Sequence, residues 1–515
     1  MRNSLCIVGL LLTAGAAYGQ ADIYAGDAFR YSEVTQTGTA RFRGIGGNHA
    51  ALGGDASAVF GNPAGLGFYN RSEISFSPSL NLINTQTNYI GNSLSNTKGV
   101  PNISQFGLIL AGSRQNESRR WRRTALGITY SRQISFSNNF VFQGRNNRSS
   151  IVDSYIADAN GRNLTGGQID AQYNSNTNEA NFPAAAAYQL FLINGTPSAG
   201  NPNETGPPYF RYDPTAPTEQ RNTFSSTGGH SLWTLAYAGN LDDKLYVGAS
   251  FSLAHLRYDF ENVYNETVIG GQVFNSLRQT DTFTATGNGV NVALGVIYKA
   301  TPDVQIGASL TTPTFSRVRE SFEQRLSADP RDPNLPITQT EVNIVPNDFD
   351  YNLTTPLRAS GGLTYFLNKG KIGFITASAD YVGYSGMRVT TKTYDAQGNT
   401  DFKNDVKQEV QNTYKNVVNF RAGAEIRAGL LRVRGGVAYL PDPYKQQLNN
   451  IDRQKLLISG GLGVRSDRFF ADVSGTYNTF KSAYTPYTLP NPSDFASAQI
   501  DTRLTNITLS IGTFF

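Results

Sequence analysis

The chain of 515 residues carries 16% charged side chains, against about 25% in a soluble globular protein, with 11% aromatics and 51 glycines. Its net charge of +5 is scattered rather than gathered into the patch a nucleic-acid binder needs. No uninterrupted apolar run reaches about 18 residues, which excludes a bundle of transmembrane helices but not a transmembrane β-barrel, whose strands are apolar on one face only.

In chain order, residues 1–19 read as a secretory signal: Arg2 supplies the positive start, Leu5 to Ala16 the apolar stretch, and Ala17-Tyr18-Gly19 a small-residue cleavage site before Gln20. The sole cysteine, Cys6, leaves with it, so the mature chain has no disulfide or thiolate-metal chemistry. Residues 20–70 are rich in Gly and Ala, and Arg43-Gly44-Ile45-Gly46-Gly47 onward suits a compact plug whose small residues allow close backbone contact with a surrounding wall. These glycines follow no strand and open no phosphate-cradling helix, so a nucleotide reading fails.

From residue 71 to 515 the pattern is period-2 alternation. One parity collects Ile74, Phe76, Leu80 and Leu82; then Phe106, Leu108 and Leu110; then Leu126, Ile128 and Tyr130. The same reading picks Trp233, Leu235 and Tyr237; Ala249, Phe251 and Leu253; Val290, Val292, Leu294 and Val296; and so on to Ile507, Leu509 and Ile511. Fourteen such strands predict an all-β fold: a 14-stranded antiparallel transmembrane β-barrel, an even count as closure in lipid requires. Turns near Leu241-Asp242-Asp243, Thr301-Pro302-Asp303, Asn368-Lys369-Gly370, Ala428-Gly429-Leu430 and Ser466-Asp467 are short. Long loops are expected at about 83–102, 144–225, 259–282, 316–355, 390–413, 441–454 and 479–502. Arg119, Arg120, Arg122 and Arg123 around Trp121 read as a turn at the membrane interface. The chain ends on Phe514-Phe515, and an aromatic Phe515 on an alternating last strand suits recognition by the barrel-assembly machinery. A large soluble β-sandwich or propeller is the competing architecture.

The third strand, about Thr124 to Phe142, is broken between Gln133 and Asn139, as a β-bulge at the rim would break it. In the 144–225 loop, Phe182 to Ile193 predicts a helix apolar most of the way round, read as a greasy docking surface capping the lumen or as a small core for that loop. Inward parity gathers Arg421, Glu425, Arg427, Arg432 and Arg434, with Arg358, Asp380 and Asp472, a mixed-sign set suited to gripping a plug. A carboxylate-attracting role is the alternative for these arginines. The three histidines, His49, His230 and His255, lack zinc spacing, and neither a catalytic site nor a cofactor is expected.

The runs Gly44-Ile45-Gly46-Gly47, Asp55-Ala56-Ser57-Ala58 and Asn62-Pro63-Ala64-Gly65-Leu66 ahead of strand one, with Pro356-Leu357-Arg358, Phe420-Arg421-Ala422-Gly423-Ala424-Glu425 and Arg434-Gly435-Gly436-Val437, resemble the FadL-type long-chain fatty acid transporters, which include toluene-type hydrocarbon channels. That resemblance implies a luminal N-terminal hatch whose motif falls on Asn62, Pro63 and Ala64, and a third-strand kink that opens the wall. It also implies uptake of a hydrophobic small molecule by lateral diffusion into outer-membrane lipid of a Gram-negative cell. Phe60, Leu66, Phe136, Phe182 and Phe191 are the candidate ligand contacts, and Arg421, Glu425, Arg432 and Arg434 the candidate hatch-gripping charges. A monomer is expected. A porin or adhesion barrel is the alternative function, with a barrel hydrolase or haem receptor behind it; a TonB-dependent receptor needs more strands and a larger plug than this chain can hold.

Overall fold

The computed structural model describes residues 17–33, 35–112, 120–198, 201–447 and 451–515. The first 16 residues of the expected signal, and Arg119 of the arginine cluster, lie outside the described residues. Fourteen strands form the wall. They run Glu73–Tyr89, Asn92–Ala111, Trp121–Ser135 continuing as Asn138–Asn146, Thr218–Leu241, Leu245–Val268, Phe274–Lys299 and Val304–Thr311 continuing as Phe315–Pro330. The rest are Glu341–Thr354 continuing as Arg358–Leu367, Gly373–Val382, Val417–Ala428, Leu431–Leu440, Lys455–Arg465, Phe469–Tyr484 and Ala498–Phe514. Each is antiparallel to the next, and strand fourteen returns to strand one from Glu73↔Phe514 to Asn88↔Gln499, which closes the barrel. Ser72 and Phe515 exchange backbone hydrogen bonds of 3.0 Å at the seam.

The expected outward parity is the exposed one. Leu253 is 54% and Leu294 55% exposed, and on strand six the apolar run Val290 to Tyr298 matches the 9 to 11 residues or so of a tilted membrane strand. No helix among the described residues is long and apolar enough to cross a membrane.

The strands continue well past this band, which corrects several expected loops. The segments taken as loops at 83–102, 259–282 and 316–355 are largely strand, with short connections at Ile90-Gly91, 269–273 and 331–340, and the one at 479–502 narrows to 485–497. The physical reason is an inversion of the alternation. On strand five Phe251 and Leu253 face out, but beyond His255 it is Leu256, Tyr258, Phe260 and Tyr264, of the other parity, that are buried, facing the interior.

Inside this extended wall lies the main hydrophobic core. Helix α1 (Ala17–Arg30) packs there with its Tyr24 ring 4.9 Å from Phe349 and 5.1 Å from Phe402. Helix α2 (Ala40–Gly44) and two short 3-10 turns, Ala56–Val59 and Pro63–Phe68, fill the lumen nearer the short-turn end. The 144–225 segment holds helices α3 (Ile151–Arg162), α4 (Gly166–Asp170) and α5 (Pro183–Gln189). Ala184 to Ala187 on α5 are all 0% exposed, so this apolar helix is a core element and not a displayed docking surface. The 390–413 segment is mostly helix α6 (Ala396–Thr413), which buries Phe402, Val406 and Val410 against α1.

Candidate functional site

Asn62 sits where hatch meets wall. Its side-chain amide donates to Ala50 O at 2.6 Å within the hatch and to Ala308 O and Val296 O, at 3.2 and 3.3 Å, on strands seven and six. Its carbonyl oxygen accepts from the Ala64 amide at 3.2 Å, capping the turn that Pro63 begins. The wall makes room by having no side chain: a Cβ on Gly295 would lie 1.9 Å from Asn62 Oδ1, and one on Gly248 would lie 2.5 Å from the Pro63 carbonyl carbon. Gly295→Val is therefore expected to unseat this corner of the hatch. The check is limited trypsin digestion of purified protein, in which Arg43, buried in the folded hatch, and the partly buried Arg41 become cleavable; a digestion pattern identical to the parent's would refute the anchoring role.

On the opposite side of the lumen a buried charge network holds the hatch. Arg41 of α2 donates to Glu425 at 3.4 Å; the same carboxylate accepts from Arg434 at 2.7 Å and Arg427 at 2.9 Å, and Arg434 reaches Asp472 at 2.5 Å. Arg421 is paired with Asp380 at 2.6 Å and donates to the hatch carbonyl of Gly46 at 3.1 Å. Arg432, expected in this set, instead donates to Gly429 O and Leu431 O at 2.6 and 2.8 Å and closes the turn between strands ten and eleven. It shares a face with Arg434 but lies two residues nearer the turn, whose carbonyls it reaches.

The break in strand three falls at Phe136-Ser137, within the expected interval. Strand two pairs with strand three only from Ala111↔Ala125 to Gln105↔Ser131. Beyond that point the ladder between them stops, strand three stays with strand four alone, and its outer half is held from behind by Thr85 and Thr87 of strand one, which donate to Asn139 O and Val141 O at 2.8 and 2.6 Å. The hatch meets this break directly: the hydroxyls of Thr35 and Thr37 donate to the carbonyls of Gln133 and Arg132. Sequence reading missed both threonines, although their spacing of two is the signature of an edge-pairing segment.

Two cavities meet at Glu33, Thr35 and Gln36. The larger, about 430 Å³, is lined by Ser135, Phe136, Ser137, Phe140, Phe224, Tyr258, Leu457 and Phe480 among others, and so opens on the break. The smaller, about 130 Å³, is lined by Phe60, His49, His230, Arg358 and a set of Ser and Thr residues. Of the candidate ligand contacts, Phe136 lies in the first and Phe60 in the second. Leu66 is buried against Ile109, Ala125 and Ala236, Phe182 packs beneath the Arg162 guanidinium at 3.9 Å, and Phe191 leans on the outer core; none of these three lines either cavity. His49 Nε2 is 3.3 Å from Ser360 Oγ, but its Nδ1 faces the Gly47 carbonyl at 3.3 Å instead of a carboxylate. His255 lies on the outer wall beside Asn288.

No family model and no curated protein matches this sequence. Solved structures do. The barrel aligns with a FadL homologue from Pseudomonas aeruginosa at TM-score 0.52 and 13% identity, over 94% of this chain and 99% of that one. This chain has the FadL fold. The toluene transporter TodX of Pseudomonas putida aligns similarly, at TM-score 0.53 and 12% identity, over 93% of this chain and 99% of that one. At such identity the likeness is one of fold and not of a common side-chain set.

Within this FadL fold the α1–α6 contact carries a titrating group outside the membrane. Burial, together with the neighbouring carboxylate of Glu409 on α6, pushes the Asp22 carboxyl up to about 7. Because this lies above the ordinary 3.8, the contribution of protonated Asp22 to docking is fully present below the ordinary value and is lost as pH rises through about 7. Amide exchange in residues 21–30, corrected for intrinsic rates, should show more opening at about pH 8 than at about pH 5, and Asp22→Asn should remove the difference. Equal protection at both pH values would refute it.

Proposed function

We propose that this chain takes up hydrophobic small molecules, long-chain fatty acids or aromatic hydrocarbons, across the outer membrane of a Gram-negative cell, and delivers them sideways into the bilayer. The observation that carries this reading is the junction of the larger cavity with the place where the ladder between strands two and three ends. A cargo held among Phe136, Phe140, Phe224 and Tyr258 has a short way to the break, while the hatch blocks the way straight through.

Energetics favours the sideways route. Apolar surface gains about 25 cal/mol per Å² on leaving water, so release into an aqueous periplasm would return that energy, whereas release into lipid would not. In this reading Thr35 and Thr37 latch the break: cargo entering the larger cavity displaces these two threonines, frees the carbonyls of Arg132 and Gln133, and lets the outer half of strand three move. Asn62-Pro63-Ala64 holds the rest of the hatch while this happens. No cofactor and no second subunit is required.

The test pairs two measurements on the full-length protein. In planar bilayers the intact barrel should pass little steady current; in cells lacking their own uptake route it should support saturable uptake of a labelled fatty acid or toluene. Large steady conductance without uptake would overturn the proposal in favour of a porin.

A further inference from the structure

The smaller cavity has a chemistry that hydrophobic transport does not use. Its lining mixes apolar side chains with a row of hydroxyl and amide groups, Ser252, Asn291, Ser309, Thr311 and Thr314 among them. Arg358, at the start of the inner half of strand eight, lines it; one guanidinium nitrogen donates to Ser32 O at 2.7 Å. Among the described residues no carboxylate lies within ion-pair distance of Arg358.

The charge count around the cavity leaves one positive charge over. Arg421 is answered by Asp380 at 2.6 Å, and Glu33, which borders both cavities, is answered by Lys455. Arg358 has no such partner. A cation largely withdrawn from water with no carboxylate beside it carries an uncompensated desolvation cost, so a mobile counter-charge in the adjoining space would be held strongly.

Two buried donors in the same wall are also without partners, Ser250 Oγ and Asn419 Nδ2, on residues 4% and 2% exposed. Strand register puts Ser250 and Arg358 on one row, through Ala293 and Thr311, and puts Ser360, Asp380 and Asn419 on the row beside it. Two orphan acceptors, Gln36 Oε1 and Asp380 Oδ1, border the cavity as well, so the site favours an occupant that keeps some water about it.

We infer that the smaller cavity is a binding site for a small monoanion, a halide or a carboxylate, seated on Arg358 and the hydroxyl-bearing side of its wall on strands five to eight. The site is separate from the larger cavity, in which Arg358 takes no part, and so does not depend on the transport reading. An anion there would also fix the N-terminal segment through Arg358 and Ser32, at the edge of the residues that latch strand three.

Bromide and acetate serve as probes of the two sources. Crystals of the full-length barrel soaked in sodium bromide should give an anomalous peak in the cavity beside Arg358, and calorimetric titration with acetate should show binding that bromide competes away. Arg358→Gln should abolish the peak and weaken acetate binding about tenfold or more, the scale of one lost charge-assisted hydrogen bond. Arg358→Lys, which keeps the charge, should retain the peak, and heat-modifiable gel mobility confirms that each variant is folded. A peak with bromide alone identifies an inorganic counter-ion; acetate binding without a bromide peak identifies a carboxylate ligand. No binding of either probe, or binding unchanged in Arg358→Gln, overturns the inference.

Discussion

Glu425→Ala should turn a closed barrel into a leaky one. The side chain is 2% exposed and accepts from Arg41, Arg427 and Arg434, so truncation leaves three guanidinium groups around an empty position. Breaking a buried ion pair by removing one partner costs about 3–5 kcal/mol. The wall can bear this, since its strands are held by continuous ladders on both sides, but α2 of the hatch is held on this side chiefly by side chains. The expected result is a marked rise in planar-bilayer conductance with normal heat-modifiable mobility, and a smaller rise for Glu425→Asp, which keeps the charge. Conductance at the parent level in the alanine variant would mean that the network does not seat the hatch.

Bulk at the strand-three break should stop transport without opening a pore. Ser135 and Ser137 both line the larger cavity, and tryptophan at either position fills the space a cargo must cross. Overpacking of this kind costs about 1–3 kcal/mol, and a comparable penalty on passage would reduce hydrophobic uptake about tenfold or more. Folded-barrel yield and bilayer conductance should stay at parent levels, because neither residue contacts the hatch anchors at Asn62 or Glu425. Undiminished uptake in both variants would place the cargo route elsewhere in the wall.

The two predictions differ in how much of their basis was legible in the sequence. The inward parity of Arg421, Glu425 and Arg434 followed from counting along strands, because a closed barrel admits only two faces. Their partners did not follow, since Arg41 and Gly46 come from a segment of no regular period whose path through the lumen is set by the wall around it. The strand-three break was legible as lost alternation between Gln133 and Asn139. That Thr35 and Thr37 cap its carbonyls was not, because nothing local marks a hydroxyl for a partner about a hundred residues away.

The expected external loops failed for a related reason. A search for outward apolar side chains follows one parity, and past the bilayer that parity turns polar while Tyr258, Phe260 and Tyr264 carry the apolar character inward. The periodicity persists with its sign reversed, because solvent has replaced lipid outside and a packed core has replaced the polar lumen inside. Phe182 to Ile193 was legible as an apolar helix in the same way, but whether its alanines faced a ligand or a core depended on what folded over them.

The sequence by itself determined the barrel: alternation, strand number and the rhythm of turns are local, and closure follows because lipid leaves no backbone group unpaired. Only the tertiary structure decided what the lumen contains, where the strand-two ladder stops, and that two cavities lie beside Thr35 and Gln36. Those features arise from contacts between segments far apart in the chain, and a two-faced strand pattern specifies the face a residue takes but not the partner it meets there.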